Sequence, residues 1–291
     1  MIKKALISCA VLAIGIAIGG AGIYQFNIKR QEQKEKLISF LGESHTKDEI
    51  ETELKSGFEK LSKSDCTEIL DLYLHATYSV ATQNLMDDST TDAIYSIMKS
   101  DHSIDINDIE DAEIKTTCLQ LQDENVVPRF VNGSLFFDVD YGYFYDTYGK
   151  YINNDYAELL SLYDEEKKID YYDSETNKMN TKEVEQRLNN IYELIQEYPN
   201  ATTKKSMNEY YKFYKCVYLG AYAQEYVFDS DVKINKNVLE SYKSFEPDDP
   251  ELKETMSKLI NMYNNSDRTR TKDIYSYITN FCEITQENTK E

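Results

Sequence analysis

Tryptophan is absent from this chain of 291 residues, and glycine, proline and histidine are scarce, with 10, 4 and 3 residues respectively. All-β folds and glycine-rich phosphate loops need glycine where the backbone takes a positive φ. The low glycine content therefore argues against both. The histidines His45, His75 and His102 form no HExxH pattern and no cluster with cysteine, so no zinc site is predicted.

Signatures of nucleophilic catalysis and nucleotide binding are also missing. The chain contains no GxSxG, SxxK, GxxxxGK[ST] or GxGxxG pattern. The acidic stretch 101–108 alternates oxygen-bearing side chains as a calcium loop does, but its sixth position is not glycine and its twelfth is Ala112. We therefore predict no catalytic residue, no cofactor and no metal site. An enzyme is the less favoured interpretation.

Positive charge is scarce relative to negative charge. The chain has 32 Lys and Arg against 52 Asp and Glu, a formal net charge of −20. Four basic residues precede residue 31 and the first acidic residue is Glu32, so the remainder carries 28 − 52 = −24. Such a surface repels phosphate, and no nucleic-acid partner is predicted. The charge either serves solubility alone or attracts a partner that is cationic or bridged by a divalent metal.

One long run without charge extends from Ala5 to Phe26. As an α-helix it would span about 33 Å, close to the hydrocarbon thickness of about 30 Å. Behind a short basic N-terminus (1–4), it predicts a single-pass transmembrane signal-anchor at 5–26, and hence the membrane as one partner. Gly15 and Gly19 form a GxxxG pattern, which permits two helices to approach closely and leaves a homodimer open.

Two other interpretations of this run are a cleaved secretory signal and a lipoprotein signal. Gly20, Ala21 and Gly22 provide small residues for cleavage, but the run is longer than a typical signal core. Cys9 follows a lipobox-like sequence, but the long apolar stretch comes after it. The anchor is therefore favoured.

The orientation of the anchor depends on its flanks. Two Lys or Arg precede the run and four follow closely, which taken alone places the large domain in the cytoplasm. A short basic N-terminus directly before an apolar run is, however, the arrangement of an export signal. We predict an extracytoplasmic domain at a bacterial cell envelope, with a cytoplasm-facing scaffold as the alternative.

The remaining sequence predicts a mainly α protein, an antiparallel array of helices with one small β-hairpin. A helical stalk is expected at 27–45, an acidic helical domain at 46–285 with lobes at 46–125 and 134–285, and a frayed tail at 286–291. Asn132-Gly133 between two β-rich runs predicts the hairpin. Helix start signals and 3–4 spacing predict helices at 46–63, 64–86, 140–152, 155–168, 181–198, 202–228, 235–245, 250–263 and 271–284.

Four cysteines lie in this acidic domain, at Cys66, Cys118, Cys216 and Cys282. They permit two disulfides in any of three pairings, or four buried free thiols. We favour free thiols, because a domain of this size needs no covalent staples.

The most distinctive pattern is aromatic, since the chain has 25 tyrosines. Along the predicted helix 202–228 they recur every four residues, at Tyr210, Tyr214, Tyr218, Tyr222 and Tyr226, and a second group includes Tyr141, Tyr145 and Tyr148. Tyrosine suits both helix packing and a binding surface, here a groove between the two helices. The functional prediction is a non-enzymatic domain that binds a protein or cell-envelope partner. The alternative is an envelope hydrolase acting on glycan or peptide through carboxylates.

Overall fold

A computed structural model describes residues 21–83, 97, 99, 104–131, 134–173, 176 and 178–283. This part of the chain is mainly helical and has two small antiparallel sheets of two strands each, so the predicted mainly α class is confirmed. Among the residues described, none of the helices combines the length and apolar character needed to cross a bilayer. Residues 5–20 of the predicted anchor, including Gly15 and Gly19, lie outside the described part.

The chain divides into two compact units, one ending at Lys168 and the other beginning at Ile169. The expected lobe boundary at 125–134 lies inside the first unit. The described elements of the first unit are α1 (Ala21–Leu41), α2 (Lys47–Phe58), α3 (Lys63–Gln83), α4 (Ala112–Gln122), β1 (Val126–Val131), β2 (Ser134–Val139), α5 (Tyr141–Tyr148) and α6 (Asn154–Glu166). Those of the second are β3 (Tyr172–Asp173), β4 (Lys178–Met179), α7 (Thr181–Glu197), α8 (Lys204–Tyr218), α9 (Gln224–Val227), α10 (Lys236–Ser244), α11 (Pro250–Asn265) and α12 (Lys272–Phe281).

Several helices begin close to the predicted positions and are capped by side chains. Thr46 accepts a hydrogen bond from the Glu49 N–H, and the Glu49 carboxylate accepts one from the Thr46 N–H at 2.8 Å, which completes a capping box. Asn180, Asp249 and Thr271 likewise cap α7, α11 and α12 with their side chains. These bonds satisfy backbone donors that the first helical turn leaves without partners.

The predicted hairpin is confirmed in the first unit. Strands β1 and β2 pair antiparallel, with Val126 opposite Val139 and Val131 opposite Ser134. This register leaves residues 132 and 133, which lie outside the described part, as the connection. Val126 and Val139 are both fully buried, so the end of the hairpin opposite the connection contributes to the core.

The helix expected as a stalk contributes to the core of the first unit. Leu37 of α1 is fully buried in one hydrophobic cluster with Leu54. Arg30 forms an ion pair with Asp65 and donates a hydrogen bond to Ser62 at 2.7 Å. Apolar burial and an ion pair therefore hold α1 against α2 and α3.

The cysteines divide into two classes. Cys66 and Cys118 are buried free thiols, as predicted. The same expectation is wrong for Cys216 and Cys282, which form a disulfide with a Cα–Cα distance of 5.8 Å. They are 66 residues apart in sequence. Only the packing of α8 beside the end of α12 brings them together.

The long helix predicted at 202–228 is wrong, because α8 ends at Tyr218. Gly220 has a φ of +78°, in the left-handed region. The Gly220 N–H binds the Val217 carbonyl at 3.1 Å, and the Ala221 N–H binds the Cys216 carbonyl at 2.9 Å. These two bonds form a Schellman motif, which satisfies the last carbonyls of a helix and reverses the chain.

Candidate partner-binding surface

The two predicted tyrosine groups lie in different units. Tyr141, Tyr145 and Tyr148 belong to α5 in the first unit. Tyr148 is fully buried, Tyr141 is half-buried and Tyr145 is 37% exposed. This helix therefore turns its tyrosines partly into the hydrophobic core and partly to solvent.

In the second unit, Tyr214 and Tyr218 point inwards. The Tyr214 hydroxyl accepts a hydrogen bond from Arg187 at 2.7 Å. The Tyr218 hydroxyl lies 2.6 Å from the Ser241 hydroxyl and donates to Glu185 at 3.1 Å. Both rings are buried, so in this structure they stabilise the packing of α8. Tyr210 is half-buried and packs edge-on against Tyr214.

Two aromatic rings of this region face solvent together. Phe213 is 38% exposed and Tyr222 is 39% exposed. Their rings stack with centroids 6.1 Å apart and an interplanar angle of 25°. Phe213 lies on α8, whereas Tyr222 follows the reversal at Gly220. Because the helix ends there, the chain folds back and places Tyr222 beside Phe213.

The exposed pair continues into a larger set of rings. Tyr171 packs edge-on against Phe213 with centroids 6.3 Å apart. The next residue, Tyr172, is buried and stacks on Tyr226 at 4.4 Å and 17°. We name the half-buried or exposed rings Tyr171, Phe213, Tyr222 and Tyr226 the aromatic surface. It combines the segment before β3 with α8, the reversal and α9.

Arg187 supports the aromatic surface from the interior. Its guanidinium is buried, donates to Glu183 at 2.7 Å and also donates to the Ile169 carbonyl. It lies 5.9 Å from the ring centroid of Tyr171 and 5.3 Å from that of Tyr214. One cation therefore links α7, α8 and the chain before β3, which fixes the position of Tyr171.

Two carboxylates lie close to the aromatic surface. Burial is the main cause that raises the pKa of the Tyr226 hydroxyl, and the negative charges of Glu225 and Asp170 raise it further. The pKa of Tyr171 is also raised, mainly by burial, and Arg187 partly opposes the shift. Both phenols therefore stay neutral at neutral pH.

Basic side chains cover several other rings of the second unit. Lys215 Nζ lies 4.9 Å from the ring centroids of both Tyr211 and Phe281. The Arg270 guanidinium lies over Phe228 and Tyr275 at 4.5 and 5.3 Å. Within the described ranges, no basic group lies over the three rings of Phe213, Tyr222 and Tyr226.

A second cluster of charges lies beside the hairpin of the first unit. Asp138 forms an ion pair with Lys167. Asp164 lies 2.6 Å from Lys168 and 3.7 Å from Arg129. Both carboxylates thus have cationic partners, which is typical of a structural ion-pair network. In the part of the chain that the structure describes, no group of three or more His, Cys, Asp or Glu is arranged to hold a metal ion.

Sequence reasoning identified Tyr222 and Tyr226 but missed the rest of this surface. The four-residue tyrosine spacing includes neither Phe213 nor Tyr171, Asp170 and Glu225. Gly220 was the available signal, because glycine is the residue that most often ends a helix in the left-handed conformation. Comparison with known proteins gave no match, since no protein family, no curated protein and no solved structure matches this chain.

Proposed function

We propose that this chain is a non-enzymatic, membrane-anchored protein whose helical part lies outside the cytoplasm and binds a protein or cell-envelope partner through the aromatic surface. The observation that carries the proposal is the stacked pair Phe213 and Tyr222, each more than a third exposed. Burying such rings against a partner would remove apolar surface from water and so contribute favourable free energy to binding. Rigid aromatic residues are also enriched among those that dominate binding energy.

The uncharged run at 5–26 supports the anchor. Helix α1 runs without a break from Ala21 to Leu41, and Arg30 already contacts Ser62 and Asp65. Arg30 follows Phe26 by four positions, which is about 6 Å of helix. The first unit would therefore sit directly at the lipid headgroups.

The Cys216–Cys282 disulfide supports the extracytoplasmic orientation. Disulfides persist in oxidising compartments and are rare in the cytosol, where thiols are kept reduced.

Capture of the partner tests the binding surface. Cells carrying the chain with Phe213→Ser and Tyr222→Ser are cross-linked, and the co-purified partner is quantified. We expect its loss, while urea denaturation shows a cooperative transition at lower urea, because the fold is kept but more than half of each side chain is buried. Tyr78→Ser is the matched control, since Tyr78 is 52% exposed in the first unit, and it should retain capture. Wild-type capture by the double variant would refute the proposed surface.

Membrane topology is tested separately. Protease added to intact cells should digest residues 27–291. In a separate experiment without protease, the protein should stay in the membrane fraction when membranes are washed with high salt. Protection from the protease until the membrane is opened would instead favour a cytoplasm-facing scaffold.

A further inference from the structure

We infer that the aromatic surface captures a cation, namely lysine or arginine side chains of a polypeptide partner, with Asp170 and Glu225 as the counter-charges. This inference rests on the proposed function, because it names the chemistry of the group bound at the same surface.

The first argument is that basic side chains of the second unit already lie close to other aromatic rings of the same unit. Lys215 and Arg270 each lie between two aromatic rings, at 4.5–5.3 Å from the centroids. An aromatic face attracts a cation at such distances because of its quadrupole. Among the described residues, the rings of Phe213, Tyr222 and Tyr226 have no such cation from the chain itself. An incoming basic side chain would occupy the equivalent position.

The placement of the carboxylates is the second argument. Asp170 directly precedes Tyr171, and Glu225 directly precedes Tyr226. The negative charges of Glu225 and Asp170 both raise the pKa of the Tyr226 hydroxyl, after the larger effect of burial. Glu225 is exposed and accessible to a partner. A cation above the rings would thus meet negative charge at its side, which adds a charge-assisted contact to the attraction of the rings.

The charge of the whole chain is the third argument. Residues beyond 30 carry −24, and such a field speeds the encounter with cations and slows that with anions. A neutral glycan would stack on the same rings but would gain nothing from this field. A basic polypeptide is therefore favoured over a glycan.

The test uses the full chain in lipid nanodiscs and a hexalysine peptide with blocked ends, titrated calorimetrically at low salt. Asp170→Asn with Glu225→Gln should weaken binding about tenfold, the loss of about 1.4 kcal/mol. Phe213→Ser with Tyr222→Ser should weaken it about fivefold or more, from two exposed cation–π contacts. The matched control is Glu193→Gln with Glu197→Gln on α7, which removes the same charge from an exposed face elsewhere and should change binding less than about twofold.

Equal weakening by the α7 control and by the Asp170/Glu225 variant would overturn the inference, because attraction would then be general. Binding of a neutral chitin hexasaccharide that depends on Phe213 and Tyr222, without binding of hexalysine, would assign the surface to a glycan and also overturn it. In that case the aromatic variant still loses the cellular partner, so the proposed function survives. If the aromatic variant keeps the cellular partner, the proposed function fails as well.

Discussion

At the scale of single residues, Arg187 is a buried charge in the second unit. The residue is 4% exposed, and its guanidinium donates to Glu183, Tyr214 and the Ile169 carbonyl. A buried charge is tolerated only when it is paired and hydrogen-bonded. Removing it leaves a carboxylate and a hydroxyl in the interior with fewer partners.

We therefore predict that Arg187→Met destabilises the protein by about 3–5 kcal/mol, measured by urea denaturation. Lys205→Met is the matched control, because the Lys205–Glu209 pair is largely exposed and should contribute nothing measurable. Equal stability of the two variants would show that the Arg187 network contributes little to folding.

Buried tyrosines form a second residue-level feature. Tyr211 donates to Asp249 at 2.8 Å, and Tyr242 donates to the Tyr218 carbonyl at 2.6 Å. Burial raises the pKa of Tyr211, Tyr218 and Tyr242 well above the ordinary value. In Tyr211 and Tyr218 the neighbouring carboxylates Asp249 and Glu185 raise it further.

These shifts predict a loss of stability in alkali. The unfolded chain releases its tyrosine protons near pH 10, whereas the folded chain keeps them, so the stabilisation is complete below about pH 10. Above that pH each such tyrosine subtracts about 1.4 kcal/mol per pH unit. Urea denaturation across this range measures how the free energy of unfolding falls with pH. Tyr242→Phe should reduce this slope by the contribution of one tyrosine, about 1.4 kcal/mol per pH unit. A flat profile would contradict the shifts.

At the scale of elements, the end of α8 decides where the aromatic side chains point. A methyl group at Gly220 would lie 2.6 Å from Phe228 Cε2 and 2.8 Å from Val227 Cγ1. Glycine is therefore required both by the positive φ and by the close approach of the chain after the reversal. This reversal separates Tyr222 and Tyr226 from the buried face of α8.

Gly220→Ala should accordingly destabilise the protein by about 1–3 kcal/mol, through strain and overpacking. It should also weaken partner capture, because Tyr222 follows two residues later. Gly149→Ala is the control, since its φ is −51° and a methyl group would meet only ordinary contacts at 3.5 Å. Urea denaturation measures the stability of the two variants. If Gly220→Ala is as stable as wild type, the proposed role of the reversal is wrong.

Local signals predicted several elements well because the physics is local. The starts of the helices predicted at 46–63 and 250–263, and the strands on either side of Asn132-Gly133, all depend on residues within a few positions of one another. The four-residue tyrosine spacing predicts a helix that continues past Gly220. Helix α8 ends at Tyr218 instead, because Gly220 takes the left-handed conformation that ends a helix.

At the scale of the whole molecule, the Cys216–Cys282 disulfide joins distant parts of the second unit. It spans 66 positions, and closing a loop of that size restricts the unfolded chain by about 4 kcal/mol in the chain-entropy account. The same bond carries the argument for an oxidising compartment.

Protein isolated from cells and unfolded without reductant should show two reactive thiols among Cys66, Cys118, Cys216 and Cys282, the four cysteines minus the bonded pair (4 − 2 = 2). Reduction should lower the free energy of unfolding by about 2–4 kcal/mol. Reductant should not change the free energy of unfolding of the double variant Cys216→Ser with Cys282→Ser. Reactive thiols at all four of these cysteines before reduction would remove the support for an extracytoplasmic location.

The sequence by itself determined the mainly α composition, most helix starts, the hairpin, the uncharged run at 5–26 and the acidic charge, because each depends on composition or on neighbouring residues. Only the tertiary structure decided that Cys216 meets Cys282, that Tyr214 and Tyr218 are buried, and that Phe213 and Tyr222 face solvent together. Those outcomes depend on contacts between segments that are distant in sequence, and a spacing pattern along one helix does not define which of its faces a neighbouring element will cover.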